Sequence, residues 1–133
     1  MPNSGIEAVK RLHKALGRAD ADAINAAVTE DFSWHMVGLG EFPIGQLRQG
    51  GQGMVDYITD LLDVMEFQRV VRHTYLEEGE TVVSLGSARG SVKANGKTVE
   101  SDYVQVFTVR DGKVAHAREY VDVDAFRGAL QAP

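Results

Sequence analysis

Two side chains suited to proton transfer, His35 and Glu119, lie on predicted β-strands. The unperturbed pKa of histidine is close to neutrality, which matches the removal of a proton beside a carbonyl group. Glu119 falls on a strand face that is otherwise mostly apolar, where an ionised carboxylate is costly unless it is paired or used. We therefore predict that His35 and Glu119 are catalytic. The alternatives are that His35 is only a hydrogen-bonded strand histidine and that Glu119 pairs with Arg89 or Arg118.

Four further side chains are predicted to bind a ligand beside this pair. Tyr103 and Gln105 carry hydrogen-bonding groups that would polarise a substrate carbonyl, with structural hydrogen bonds as the alternative for each. Trp34 is expected in the core or at the pocket rim, and Ala117 is small enough to leave room for a ligand. A fifth predicted ligand contact, Phe42, belongs to a separate segment.

Phe42 lies in Gly38–Gly53, a glycine-rich segment that also carries Ile44 and Leu47. Glycine and proline at this density are typical of a loop. Because an exposed loop rarely holds several large apolar side chains, we predict a flap that closes over the pocket mouth and excludes water. The alternative is a loop packed permanently on the following helix.

The position of Glu119 depends on the turn of a predicted hairpin, Lys97–Asp122. A three-residue loop over 110–112, with Gly112 left-handed, would place Glu119 opposite Tyr103 on a pocket face. A two-residue turn would place Glu119 opposite Val104, facing away. We predict the first register. The pocket face then contains Gly86, Ala88, Tyr103, Gln105, Ala117 and Glu119, and the outer face, with Asp102, Val104, Val106, Thr108, His116, Arg118 and Tyr120, suits a homodimer interface.

The spacing of apolar residues along the chain predicts the helices and strands that position these side chains. Helices are predicted after Ser4 and Asp20, a strand over Asp31–Val37 with His35 and Trp34 on opposite faces, and a helix over 54–65. Turn signals at Gly79, 95–96 and 111–112 then mark four long antiparallel strands, followed by a short C-terminal helix. We predict one α+β domain over residues 1–133, a cone formed by a curved antiparallel sheet wrapped around the N-terminal helices.

Composition excludes several classes of function. The net charge of −5 comes without a cluster of Lys and Arg, which argues against nucleic-acid binding. No apolar run approaches the roughly 20 residues that a membrane span needs. The absence of cysteine excludes thiol catalysis and zinc–cysteine sites, and is typical of a cytoplasmic protein. The four histidines lack metal-ligand spacing, so we predict neither a metal nor a cofactor.

The segments FSWHMVG and FTVRDGKVAHAREYVD, together with the order of elements, resemble the SnoaL-like, ketosteroid-isomerase-related group of the NTF2-like superfamily. The resemblance covers essentially the whole chain. It implies a cone-shaped α+β barrel, commonly a homodimer, with an apolar pocket between sheet and helices. Members of the group include steroid isomerases, polyketide cyclases, dehydratases and epoxide hydrolases.

The resemblance also implies residue roles. His35 stands where the steroid isomerases place a catalytic aspartate, and Gln105 where they place a neutral acid that donates to the oxyanion. Glu119 stands where cyclases and limonene-epoxide hydrolases carry an acid/base aspartate. Gly86 and Ala88 stand where those hydrolases need an arginine and a second aspartate, which argues against epoxide hydrolysis.

These observations favour a cofactor-independent isomerase, cyclase or dehydratase that acts by general acid/base chemistry on a small apolar molecule with a carbonyl group. The first alternative is a protein that binds an apolar small molecule without catalysis. The second is a dimeric interaction module whose pocket is filled by side chains. The enzyme hypothesis expects His35 and Glu119 to converge within about 3–5 Å, directly or through one water.

Overall fold

The structure is a computed structural model that describes residues 4–131. Its elements are α1 Gly5–Gly17, α2 Ala21–Ala27, β1 Val28–Met36, a 3₁₀ turn Pro43–Gly45, β2 Arg48–Gln49, α3 Gly50–Val64, β3 Met65–Glu78, β4 Thr81–Val92, β5 Thr98–Arg110, β6 Lys113–Val121 and α4 Val123–Gln131. The predicted α+β class and order of elements are confirmed. The single-domain prediction stays a prediction, and its ends, residues 1–3 and 132–133, lie outside the described residues.

Helix starts follow the capping residues that the sequence offers. Ser4 Oγ accepts from the backbone N–H of Glu7 at 3.1 Å, and Asp20 Oδ1 accepts from that of Ala23 at 3.2 Å. Each bond satisfies one of the amides that a helix N-terminus leaves without a partner. The third helix begins at Gly50, four residues before the predicted start, so the loop ahead of it is shorter than expected.

The six strands form one sheet in the order β2-β1-β6-β5-β4-β3. Neighbouring strands are antiparallel except β1 and β6, which run parallel, so the sheet is mixed. Helix α1 lies against β3, β4, β5 and β6, while α3 packs mainly against β1. The first helix is therefore the one that the long strands enclose. Among residues 4–131, no helix has both the length and the apolar character needed to cross a membrane.

The predicted register of the β5–β6 hairpin is wrong by two residues, although its choice of face is right. Asp111 and Gly112, with φ of 52° and 77°, form a two-residue turn, and a bulge follows at the start of β6. A turn that is one residue shorter than predicted would by itself move the side chains of β6 to the opposite face. The bulge adds one residue to β6 and moves them back. Glu119 therefore pairs with Gln105 instead of Tyr103, and still points to the inner face.

The β4–β5 connection is also longer than predicted. The backbone N–H of Val92 donates to Lys97 O at 2.8 Å, which leaves four residues in the loop where a two-residue Asn-Gly turn was expected. Tyr103 accordingly pairs with Gly86, and Gln105 pairs with Ser84. The observed register again differs from the predicted one by two residues, so the same side chains face inward as predicted.

Candidate active site

A cavity of about 300 Å³ lies between the concave face of the sheet and the helices. Its wall is mostly apolar and contains a few polar side chains, as expected for a small-molecule site. An open cavity also argues against the hypothesis of a pocket filled by side chains. The lining residues are Leu16, Gly17, Trp34, Met36, Met54, Tyr57, Ile58, Leu61, Leu62, Phe67, Val70, Arg72, Ala88, Ser101, Tyr103, Gln105, Glu119, Val121 and Phe126.

Glu119 is the one carboxylate among these lining residues. Its Oε2 accepts from Gln105 Nε2 at 2.5 Å. Burial raises the pKa of Glu119 to about 6, against the opposing effects of the Gln105 hydrogen bond and the Arg72 charge. Within residues 4–131 it has no salt bridge, so neither Arg89 nor Arg118 neutralises it. Glu119 is thus a carboxylate that changes its charge near neutral pH.

Gln105 is held on its other side by His13, which is 6% exposed. The Gln105 Oε1 and His13 Nε2 atoms are 2.8 Å apart, and His13 Nδ1 lies 2.8 Å from the Tyr75 hydroxyl. With its NH₂ group on the carboxylate, Gln105 presents its oxygen to His13. His13 must then donate from Nε2 and accept the Tyr75 proton at Nδ1. The predicted role of Gln105 in polarising a substrate is replaced by that of orienting Glu119.

Burial, followed by the Arg72 charge, lowers the pKa of His13 to about 3, although the Gln105 hydrogen bond acts in the opposite direction. The imidazole is therefore neutral at physiological pH. Its ring packs edge-on against Phe107 at 5.5 Å. His13 is thus a buried histidine with both ring nitrogens in hydrogen bonds. Its link to Glu119 through Gln105 was not predicted, because it joins residues 92 positions apart.

Tyr103 and Arg72 form the second polar group of the cavity. Arg72 Nη1 donates to the Tyr103 hydroxyl at 2.9 Å, and the guanidinium lies 5.6 Å from the Tyr103 ring centre. The ring covers Gly86, where an added Cβ would lie 2.4 Å from it. Because the hydroxyl accepts from Arg72, its own proton is directed elsewhere, and among residues 4–131 Tyr103 donates no hydrogen bond to a side chain. Tyr103 can therefore donate to a ligand oxygen.

Arg72 lines the cavity, although the sequence alone gave no reason to place it there. Strict alternation along β3 would place it opposite Phe67, but a bulge between Phe67 and Arg69 reverses the faces of the residues that follow. Arg72 then shares the inner face with Phe67 and Val70. No glycine or proline marks this bulge, so the sequence carried no signal for it.

The prediction that His35 faces the pocket is wrong. Trp34 and Met36 point inward on β1, and alternation puts His35 on the outer face, where it pairs in register with Arg118. The neighbouring outer residue Ser33 contacts His116, with 2.9 Å between Ser33 Oγ and His116 Nδ1. His35 and Glu119 therefore do not converge. The resemblance of FSWHMVG to a catalytic segment predicted correctly that His35 lies on a strand, but it predicted the wrong face of the sheet for the His35 side chain.

Two predicted ligand contacts are also absent from the cavity wall. Ala117 is 2% exposed and belongs to the core between Trp34 and Phe107, its neighbours in register. Phe42 packs against the core beside the buried Ile44 and does not line the cavity. Its segment contacts α3, as the packed-loop alternative required, and the flap prediction is wrong.

Trp34 lines the cavity as predicted, beside Tyr57 of α3, with ring centres 5.1 Å apart. Tyr57 was not singled out from the sequence, although it fits the apolar stripe of its helix. Its buried hydroxyl donates to the Met36 sulfur at 3.9 Å, and burial, reinforced by the Glu119 charge, raises the pKa of Tyr57 well above its usual value. Tyr57 therefore stays protonated. Among residues 4–131, no group of three or more His, Cys, Asp or Glu side chains could hold a metal ion.

Solved structures resemble this chain over nearly its full length. An NTF2-like protein from Burkholderia xenovorans LB400 is 30% identical, with 96% of this chain and 95% of that chain covered and a TM-score of 0.88. TerC, co-crystallised with polyporic acid, is 25% identical (96% and 98% covered, TM-score 0.81). An LEH-like epoxide hydrolase of M. tuberculosis is 26% identical (96% and 90% covered, TM-score 0.72).

No curated protein matches the sequence. The family model described as a SnoaL-like domain matches residues 9–117. This range contains α1 from Val9 onward, the strands β1 to β5 and the first part of β6, and it ends two residues before Glu119. The match thus extends over most of the chain, and the solved structures share its NTF2-like architecture. This chain belongs to the SnoaL-like domain family.

Proposed function

We propose that this protein is an enzyme that moves a proton on a small, mostly apolar carbonyl compound, with Glu119 as the acid/base group. One observation carries the proposal: a carboxylate without a salt-bridge partner, oriented by Gln105, is held in a mostly apolar cavity. Burying such a charge is costly unless it is used. A pKa of about 6 leaves Glu119 largely ionised at neutral pH and basic enough to accept a proton.

The remaining polar groups have complementary roles in this mechanism. Glu119 removes a proton from the carbon beside the carbonyl, and Tyr103, which is hydrogen-bonded to Arg72, donates to the carbonyl oxygen as it becomes an enolate. Glu119 then returns the proton to another carbon, which isomerises the substrate. Alternatively, the enolate carbon attacks a second carbonyl of the same molecule, the π bond of that carbonyl opens, and its oxygen takes the proton from Glu119 as the ring closes. Neither route needs an oxidant, a reductant or a leaving group. Names among the similar structures, an epoxide hydrolase and a protein bound to polyporic acid, support a site for small organic molecules.

Epoxide hydrolysis is not part of the proposal. The lining residues include a single carboxylate, Glu119, and Ala88 stands where the resemblance called for a second acid. Arg72 supplies a cation from β3, but it contacts Tyr103 and not a carboxylate. The site therefore favours a mechanism with one base and one oxygen-binding group.

The test uses β-tetralone, a bicyclic ketone with acidic protons beside its carbonyl, incubated with the protein in D₂O. Proton NMR measures the loss of these protons. Glu119→Gln should slow the exchange by about 10²- to 10⁴-fold, because it removes the base while keeping the shape of the side chain. The exchange rate in the parent protein should rise as the pH passes upward through about 6, as Glu119 ionises.

Glu100→Gln is the matched control, since Glu100 lies on the outer face of β5 and pairs with Arg69 and Arg89. It should exchange β-tetralone at the parent rate. An unchanged rate in Glu119→Gln would contradict the proposal. Binding of β-tetralone without exchange above the buffer rate would also contradict it and would instead support the non-catalytic binding protein.

We propose, as part of the same function, that the outer sheet face forms a homodimer. A strip of apolar side chains crosses this face, and Leu76, Val104 and Tyr120 are 55%, 37% and 40% exposed. The strip also includes the half-buried outer residues of β4 and β5, Val83, Leu85 and Val106. Exposed apolar patches rimmed by charge are typical of protein interfaces.

Light scattering should give twice the 14.5 kDa chain mass. Val104→Lys places a charge in the middle of the strip and should give the single-chain mass, whereas Val70→Lys, an exposed change on the inner side of β3, should leave the dimer intact. A monomeric parent protein would contradict the assignment.

A further inference from the structure

Arg72 is the one cationic side chain among the described residues that line the cavity. It is half-buried on the inner face of β3. The guanidinium uses Nη1 to donate to the Tyr103 hydroxyl and otherwise lies over the Tyr103 ring. A guanidinium has five N–H donors, so this contact leaves most of its hydrogen-bonding capacity for a ligand.

Other arginines of this chain that leave bulk solvent find a carboxylate. Arg48, whose side chain is 13% exposed, pairs with Asp60 at 2.9 Å. Arg127, which is also half-buried, pairs with Glu41 at 2.6 Å. Arg72 has no carboxylate oxygen within 4.0 Å anywhere in residues 4–131. The Arg72 charge acts on Glu119 across the cavity, but the two groups form no salt bridge. A partly buried cation with no carboxylate in contact is costly, which favours a site completed by an anion from outside the chain.

The surroundings of Arg72 define what that anion is attached to. Phe67, Val70 and Ala88 give the cavity wall that contains Arg72 an apolar surface. Planar guanidinium groups bind carboxylates through two parallel hydrogen bonds, which leaves the neighbouring Tyr103 hydroxyl for the carbonyl oxygen. The site therefore matches an apolar body that carries a carboxylate.

We propose that the natural ligand of this cavity is an apolar small molecule with a carboxylate group, and that Arg72 binds this carboxylate beside the carbonyl oxygen that Tyr103 contacts. This deepens, and for catalysis rests on, the proposed function. The carboxylate fixes one end of the molecule at β3. The reacting carbon then lies toward β6, where Glu119 is placed. Arg72 thus selects acidic substrates in a protein whose net charge of −5 would otherwise repel them.

The test measures binding by calorimetry at neutral pH with two probes of nearly equal shape, β-naphthoate and its neutral amide, β-naphthamide. The parent protein should bind β-naphthoate about tenfold or more tightly than the amide, because charge-assisted hydrogen bonds to the carboxylate are replaced by weaker neutral ones. Arg72→Met should remove this preference while leaving the affinity for the amide nearly unchanged. Arg72→Lys should keep part of it, since the charge remains but the planar fork is lost.

Arg69→Met is the matched control, because Arg69 is on the same strand and faces outward to Glu100. It should keep the full preference for β-naphthoate. Equal binding of the two probes by the parent protein, no detectable binding of β-naphthoate, or a preference that survives in Arg72→Met would each overturn the proposal. Because parent binding needs no folded variant and no turnover, this result is separate from β-tetralone exchange. Exchange without anion preference would refute only the ligand class, and preference without exchange would refute only the enzyme.

Discussion

The two faces of the β5–β6 hairpin use the same strands in opposite ways. On the inner face, Gln105 and Glu119 are neighbours in register and hydrogen-bond to each other. One residue away, Val104 and Tyr120 are neighbours on the outer face and stay more than a third exposed. At these two neighbouring pairs, the polar groups lie inside and the apolar groups outside, the reverse of the usual arrangement for a sheet with one buried face. Each face therefore has a use that folding alone does not explain.

The same contrast holds for two carboxylates of this hairpin, Glu100 and Glu119. Glu100 on the outer face is 56% exposed and lies between Arg69 and Arg89, an arrangement that contributes about 1 kcal/mol or less per pair to stability. Glu119 on the inner face lacks a salt bridge and depends on Gln105, which depends on His13. Substitutions on the inner face should accordingly affect the exchange reaction and the stability at low pH. Substitutions on the outer face should affect dimer formation.

The largest expected effect concerns His13 and acid stability. The pKa of His13 is about 3 in the folded protein and 6.5 when unperturbed, so the unfolded chain binds more protons between these values. Stability contributed by neutral His13 is therefore complete above about pH 6.5 and is lost as the pH falls toward 3, by up to about 4 kcal/mol. Glu119 acts oppositely, since its raised pKa favours the folded state as the pH falls through about 6.

Urea unfolding at a fixed protein concentration, repeated between neutral pH and about pH 4, measures the free energy of unfolding. His13→Gln should be less stable than the parent at neutral pH but lose much less stability on acidification, because glutamine does not titrate. His116→Gln changes an exposed histidine on the outer face and should keep the parent slope. An acid slope in His13→Gln equal to that of the parent would show that buried His13 does not control it.

The residues of the inner face were predicted correctly because each error in strand register amounted to two residues. Both hairpin turns were assigned the wrong register, yet each difference was two residues, and side chains alternate with a period of two. Glu119, Gln105 and Tyr103 were therefore placed on the correct face for an incorrect turn. A difference of one residue would have moved all three to the outer side. The residues of a turn therefore determine which side chains face inward only when the bulges in the adjoining strands are also known.

His35 and Arg72 show where sequence reasoning failed. His35 was placed by its likeness to a catalytic segment, although its own strand alternation, with Trp34 and Met36 on the other side, was already readable. Arg72 was missed because a bulge in β3 reverses the side-chain faces and leaves no mark in local composition. His13 could be recognised as a buried histidine, but its partner Gln105 is brought to it only by the packing of α1 across the sheet. Contacts of this kind depend on tertiary structure and are not encoded in spacing.

The smallest expected effect separates the two tyrosines of the hairpin. Tyr103→Phe keeps the ring over Gly86 and removes only the hydroxyl that contacts Arg72. It should slow β-tetralone exchange by about tenfold to a hundredfold, because one donor to the developing enolate is lost. The loss should fall on the turnover rate more than on KM, since that hydrogen bond strengthens as charge builds on the oxygen.

Tyr120→Phe makes the same chemical change on the outer face, where the ring lies beside Arg118 at 6.0 Å. It should exchange β-tetralone at the parent rate, since its hydroxyl is separated from the cavity by the sheet. Equal rates for both variants would mean that Tyr103 does not donate to the reacting oxygen. A loss in both would mean that the two faces are coupled, as they would be if assembly through the outer face were needed to shape the inner one.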